Sequence, residues 1–282
     1  MSERDDDAVG RTREVADVPD ALASMRLLDL LGHPASQIRA GDALPPLAHW
    51  LHFGGVEPLA ECGPDGHPRR GDFLPALPYL PRRMWAGSRV RFHAPLRAGE
   101  PASKRSTVVS LAHKNGRSGP LAFAVLRHEV ADRGGRALVT EDQTLVFREA
   151  PKEPVQRTGA PDGGSDDPAP PWQRRVEPDL VMLFRYSALT FNSHRIHYDA
   201  DYVREVEGYA APVIHGPLTA TLLLDLALRH ANGRTPETFA FTARAPLVLG
   251  DAIELRGGPD GHLEALTGGA TAMEATFTLS PT

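Results

Sequence analysis

Histidines and hydrogen-bonding side chains crowd into one part of the chain. Phe184-Arg-Tyr-Ser-Ala-Leu-Thr-Phe-Asn-Ser-His-Arg-Ile-His-Tyr-Asp199 is followed by Tyr202-Val-Arg-Glu-Val-Glu-Gly208 and by Val213-Ile-His-Gly-Pro-Leu218. Histidine is the commonest proton carrier near neutral pH, and amide N–H groups at a helix start hold a developing oxyanion. Together these parts suffice for proton transfer next to a carbonyl. Taken alone, the same residues also make a polar turn at Asn192, Ser193 and His194 and a core histidine at 197 hydrogen-bonded to backbone. His194-x-x-His197 with His215 lacks an obvious carboxylate for a metal site, and no metal is expected. Neither a Gly-x-Gly-x-x-Gly loop nor a Lys-Ser/Thr phosphate loop occurs, which argues against nucleotide-triphosphate chemistry. Arg82, Arg83 and Arg195 have the chemistry to pair with phosphate or carboxylate. A solvated rim is the expectation for Arg82 and Arg83, whereas for Arg195 rim and ligand role stay open.

The elements around these residues can be read from period and punctuation. Pro217 suits a first helical turn, because its missing N–H has no acceptor there anyway. Leu218, Leu222 and Leu226 then share one face with Thr219 and Leu223 beside it, and the helix is apolar nearly all round. A helix of that kind is expected at the centre of a sheet. A matching helix in the first half is expected over Pro46-Leu-Ala-His-Trp-Leu-His-Phe53, cut short by Gly54-Gly55. Thr107–Leu111, Leu121–Leu126 and Ala137–Thr140 read as strands separated by turns at Asn115-Gly116 and Arg133-Gly-Gly135. Phe239–Thr242, Ala252–Leu255 and Ala272–Leu279 repeat the pattern in the second half. Ala94-Pro-Leu-Arg-Ala-Gly-Glu100 and Ala245-Pro-Leu-Val-Leu-Gly-Asp251 match residue by residue and indicate a duplication, with Gly99 and Gly250 supplying positive φ. Between the halves, Pro151 to Pro171 is rich in glycine, proline and aspartate and reads as a linker. The expected domains are 20–150 and 173–282, joined by 151–172.

Bulk properties narrow the classes further. A chain of 282 residues is about the size of two common domains. A formal charge of -5 gives no general pull toward nucleic acid or an anionic membrane. Cys62 is the single cysteine, so no internal disulfide forms, and the acidic opening lacks the regions of a signal peptide. No apolar run reaches bilayer length, Asp225 interrupting the longest near the C-terminal helix. The expected compartment is the cytoplasm.

The stretch Tyr186–Asp199 with Val213-Ile-His-Gly216 resembles the signature of MaoC-like enoyl-thioester hydratases and 3-hydroxyacyl-thioester dehydratases, in which an acidic residue precedes a histidine by five positions. His197 matches the histidine, and Asn192 stands where the acid belongs. The form Thr-Phe-Asn-Ser-His-Arg-Ile-His-Tyr-Asp is similar to a sub-branch with mitochondrial-type hydroxyacyl-thioester dehydratases and mesaconyl-C(4)-CoA and itaconyl-CoA hydratases. Leu44-Pro-Pro-Leu-Ala-His-Trp50, Gly63-Pro-Asp-Gly-His-Pro-Arg-Arg70 and Leu80-Pro-Arg-Arg-Met-Trp-Ala-Gly87 extend it into the first half.

The resemblance implies an α+β double hot-dog fold, two antiparallel sheets each wrapping a central helix, with the catalytic signature kept in the second half. It implies a carbon–oxygen lyase that adds water to a 2-enoyl thioester or removes it from a 3-hydroxyacyl thioester, with mesaconyl or itaconyl as favoured acyl groups. His197 would be the catalytic base, Asn192 would orient water or thioester, and Gly216 and Arg195 would bind substrate. No cofactor is expected beyond the coenzyme A or acyl-carrier arm of the substrate, no nucleic-acid or membrane partner is expected, and a homodimer of double hot-dog chains is. An acyl thioesterase and a non-catalytic acyl-thioester-binding subunit are the competing readings. Were Asn192 without a catalytic part, Asp199 and Glu205 are the carboxylates next in sequence.

Overall fold

A computed structural model describes residues 8–35, 37–54, 58–116, 119–150 and 170–281. The chain forms two compact units, Met1–Ala150 with Ala188–His194, and Pro151–Ser187 with Arg195–Thr282. The first unit runs to Ala150 and also takes in the strand Thr12–Asp17, ahead of residue 20, and the short segment 188–194. Most of the expected linker, 151–169, lies outside the described residues.

The first unit contains β1 (Thr12–Asp17), α1 (Ala21–Leu30), β2 (Arg82–Phe92), β3 (Ala102–Gly116), β4 (Gly119–Asp132) and β5 (Ala137–Arg148). Its antiparallel strands lie in the order β1-β3-β4-β5-β2. Alternation puts Ala122, Ala124 and Leu126 on one face, where they pack with Leu77, Leu80, Val108 and Phe147. The turn at Arg133-Gly-Gly135 forms as expected: Asp132 Oδ1 accepts from Gly134 N and Arg136 N, and Gly135 has φ 82°. The turn expected at Asn115-Gly116 does not fall there. Asn115 and Gly116 instead belong to the ladder, paired with Pro120 and Gly119, and residues 117 and 118 lie outside the described ones.

The second unit contains β6 (Trp172–Val176), α2 (Leu180–Leu189), α3 (Ala200–Tyr202), α4 (Gly216–Arg229), β7 (Pro236–Ala243), β8 (Ile253–Gly257), β9 (His262–Thr267) and β10 (Ala270–Leu279). Its strand order, β6-β8-β9-β10-β7, is the order of the first unit element for element. Helix α4 touches all of these strands, and every residue from Leu218 to Ala227 is buried, as its all-round apolar surface requires. The one charge inside that run, Asp225, is neutralised by Arg174 at 2.7 Å and Arg229 at 2.8 Å.

The repeated heptads occupy equivalent connections, β2 to β3 and β7 to β8, and Gly99 and Gly250 have φ of 76° and 96°. Leu44 N donates to Leu96 O, and Ala98 N to Asp42 O; Ile214 N donates to Leu247 O, and Leu249 N to Pro212 O. The bridges Ala43–Arg97 and Val213–Val248 complete the match. This register equates Pro45 with His215 and Pro46 with Gly216.

The first unit departs from its twin at this point. In place of the helix expected over Pro46–Phe53 there is a single 3-10 turn, Ala48–Trp50. Leu47 and Phe53 adopt left-handed φ of 68° and 60°, which no α-helix accommodates. A long connection then runs to β2. Polar side chains fill part of the interior instead: the buried Glu141 accepts from His49 Nε2 (3.0 Å), Trp50 Nε1 (2.9 Å) and Ser88 Oγ (2.6 Å). Burial alone would raise the Glu141 pKa, but the His49 hydrogen bond and charge, with His128 and Ser88 behind them, hold it down at about 2.

Candidate active site

The N-terminus of α4 is built by short, tight connections. The strand-like residues before it are pinned by the Ile214–Leu247 bond and by Val213 N donating to Ile196 O at 2.9 Å. His215 then turns the chain with φ -61° and ψ 125°, and Gly216-Pro217 opens the helix. First-turn N–H groups have no intrahelical acceptor and lie at the positive end of the helix dipole. Gly216 N–H is one of them, and His215 makes no side-chain cap hydrogen bond there.

Two imidazoles stack over this start. His197 and His215 have ring centroids 3.6 Å apart with planes 17° from parallel. His215 is fully buried, with Ser187 Oγ 2.8 Å from Nε2 and the Tyr186 ring against its edge. His197 sits on the 3-10 turn Arg195–His197, and its Nδ1 lies 2.7 Å from Val213 O. A carbonyl oxygen only accepts, so Nδ1 carries the hydrogen and Nε2 carries the lone pair of the neutral ring. The contact that looked like a bland backbone anchor is thus what selects the basic tautomer.

Asp199 holds this turn in shape. It accepts from Tyr202 N at 3.0 Å and from Arg195 Nε and Nη2 at 3.0 and 2.7 Å, and the Arg195 guanidinium lies 4.1 Å from the Tyr202 ring centroid. The Tyr202 backbone bond and then Arg195 lower the Asp199 pKa, so this carboxylate is a clamp ill suited to carrying a proton at neutral pH. Glu205 is exposed, whereas Glu207, at the end of the π-helical stretch Val203–Glu207, is buried. Sequence reading missed Glu207, because a π-turn shifts the face on which a residue emerges.

Asn192 lies in the segment that clusters with the first unit. Its Oδ1 accepts from His194 N at 3.0 Å, an Asx turn that orients the side chain from within its own loop. Ser193 Oγ donates to Gly66 O at 2.5 Å, and the His194 ring lies 3.9 Å from that of His67. Of the predicted site residues, then, His197 and Gly216 meet at the α4 start, Arg195 flanks them on the same turn, and Asn192 is held by the loop before it. The imagined metal trio of His194, His197 and His215 is not the grouping the described residues offer. Ligand atoms within 4.8 Å of one another instead come from Asp65, His67 and His194.

Comparisons with known proteins bear on the family and the fold. Residues 47–249 match the family model for hydroxyacyl-thioester dehydratase type 2. Mesaconyl-C(4)-CoA hydratase of Chloroflexus aurantiacus is 42% identical over 290 residues, covering 96% of each chain. A MaoC-like dehydratase from Phytophthora capsici superposes with a TM-score of 0.67 at 13% identity, covering 98% of both chains. A Mycobacterium tuberculosis protein described as a double hotdog fold does so at 0.58 and 17% identity, covering 96% of both. The fold is a double hot-dog of the MaoC-like kind. The chain belongs to the hydroxyacyl-thioester dehydratase type 2 family, and with it to the carbon–oxygen lyases of the hydratase and dehydratase type.

Proposed function

We propose that the chain adds water to a short, carboxylated 2-enoyl thioester of the mesaconyl or itaconyl type, or catalyses the reverse dehydration, with His197 as the proton carrier. The observation that carries this reading is the Nδ1 contact of His197 with Val213 O, which leaves a basic Nε2 beside the start of α4. In the hydration direction, Nε2 takes a proton from water as the hydroxyl oxygen bonds to C3. The C2–C3 π electrons move toward the thioester oxygen, which becomes enolate-like, and the imidazolium then returns the proton to C2. Gly216 N–H and the α4 dipole stabilise that oxygen, and no cofactor is needed. Asn192 orients water or thioester by hydrogen bonds, because an amide carries no exchangeable acid proton for this step. Arg195 contributes positive charge to thioester binding from the rim of the same turn.

Coenzyme A is the proposed carrier, a double hot-dog homodimer the proposed assembly and the cytoplasm the proposed compartment. Among the described residues no helix is long and apolar enough to cross a membrane. Loss of the conjugated enoyl-thioester absorbance across a panel of acyl groups tests the activity. Release of free thiol at the same rate would make the chain a thioesterase, and binding without turnover would make it a carrier subunit.

A further inference from the structure

His215, in the second unit, has no part in the hydration steps above, although its ring is fully buried and lies face-on to that of His197. Two further contacts fix this ring: Ser187 Oγ lies 2.8 Å from Nε2, and the Tyr186 ring meets it at 5.0 Å and 62°. The backbone is fixed as well. His215 O accepts from Thr219 N at 3.1 Å, and the next peptide nitrogen is that of Gly216. One residue thus joins the ring of the proton carrier to the helix start that would hold the thioester oxygen. Pro45 takes the equivalent register position in the first unit, so no imidazole stands there.

The stacking geometry bears on what this contact does. Two neutral aromatic rings settle into offset or edge-on pairs with centroids about 4.5 to 7 Å apart. His197 and His215 are nearer, at 3.6 Å, and only 17° from parallel. Such a pair gains when one ring is a cation over the π face of the other. The two rings do not both take a proton, since like charges at that separation, one of them wholly buried, repel strongly. Resting on the hydratase reading above, we propose that His215 is a positioning residue: it stays neutral, fixes the plane of His197 and thereby the direction of Nε2, and stabilises by stacking the imidazolium that His197 becomes. The other titratable groups near His197 do not compete for this part. Arg195 and Asp199, on its own turn, pair at 2.7 Å, and burial raises the Tyr186 pKa so that its hydroxyl stays protonated. Glu207 is buried on the π-helical stretch packed against that turn, and Asp251 accepts from Val248 N.

The test compares His215→Leu with His215→Phe. Both remove the Ser187 bond and keep an apolar side chain against His197, and only phenylalanine restores a π face. His215→Leu should lower kcat about ten- to a hundredfold with KM changed by no more than about twofold. The same variant should lower the titration midpoint of His197, followed by heteronuclear NMR of the substrate-free protein, by about one pH unit. His215→Phe should recover most of both losses, which a merely space-filling role would not require. Equal behaviour of the two variants overturns the proposal, and so does a His215→Leu protein with the wild-type kcat and midpoint. If circular dichroism shows that replacements at this buried position do not fold, Ser187→Ala keeps both rings and removes only the bond that fixes one of them. Its kcat should fall about three- to tenfold at constant KM, the scale of one hydrogen bond, and an unaltered kcat overturns the proposal. If wild-type protein turns over no enoyl thioester, the hydratase reading fails by itself. The NMR midpoints need no substrate and then still decide whether His215 stabilises the His197 cation.

Discussion

The start of α4 in the second unit and its counterpart in the first share a backbone register but have opposite chemistry. His215-Gly216 opens a fourteen-residue helix, whereas Pro45-Pro46 opens a single 3-10 turn. Pro46 has no N–H, so the first unit lacks at this position the donor proposed for Gly216. The polar groups differ in the same way. The contacts of Glu141 with His49 and Ser88 lock a charge in place, while the contact of His197 Nδ1 with Val213 O makes Nε2 the basic nitrogen of the neutral ring. The two frames share one register, and what separates the proposed catalytic polarity from the structural one is whether a proton can still move.

His197→Ala should break the comparison most severely. We expect turnover of the enoyl thioester to fall by roughly two to four orders of magnitude with an unchanged melting temperature; near-normal turnover would make His197 only a packed ring. Gly216→Pro copies the first unit into the second. His215 already has the extended ψ of 125° that suits a residue before proline, and proline fits the first helical position, so folding should survive. Loss of the N–H should lower kcat by about a hundred- to a thousandfold. A smaller loss would mean that another group stabilises the thioester oxygen.

Asn192→Ala is expected to cost about ten- to a thousandfold in kcat/KM, the scale of one well-placed polar contact. Asn192→Asp should fold, and its pH–rate profile tells whether a carboxylate there adds a titration. If Asn192→Ala is silent while His197→Ala is not, the buried Glu207 is the next carboxylate to replace.

Glu141→Gln probes the other side of the comparison and should affect stability alone. The folded carboxylate titrates at about 2 against an unperturbed 4.5, so its stabilisation is complete above pH 4.5 and is lost as pH falls toward 2. A shift of that size corresponds to roughly 3 kcal/mol. The variant should therefore unfold at lower denaturant near pH 7 and show a flatter acid limb, with kcat per folded molecule unaltered. A fall in kcat instead would place Glu141 in the chemistry.

Much of this molecule is local, and local features are readable from sequence. The alternation at Leu121–Leu126 forms β4, the apolar girth of Leu218–Leu228 demands a surrounding sheet, and Gly99 and Gly250 mark the same connection in both halves. His197, Asn192 and Gly216 were singled out from two short stretches, Tyr186–Asp199 and Val213–Gly216, and the stacking of His197 on His215 ties the two stretches together. Tertiary structure alone decided that Ala48–Trp50 is a 3-10 turn, since left-handed Leu47 is held by packing rather than by propensity. It also decided that Glu141 meets a histidine 92 residues away and that His67 meets His194. Such pairs depend on strand register and loop closure over long separations, and the spacing of residues along a chain carries no record of either.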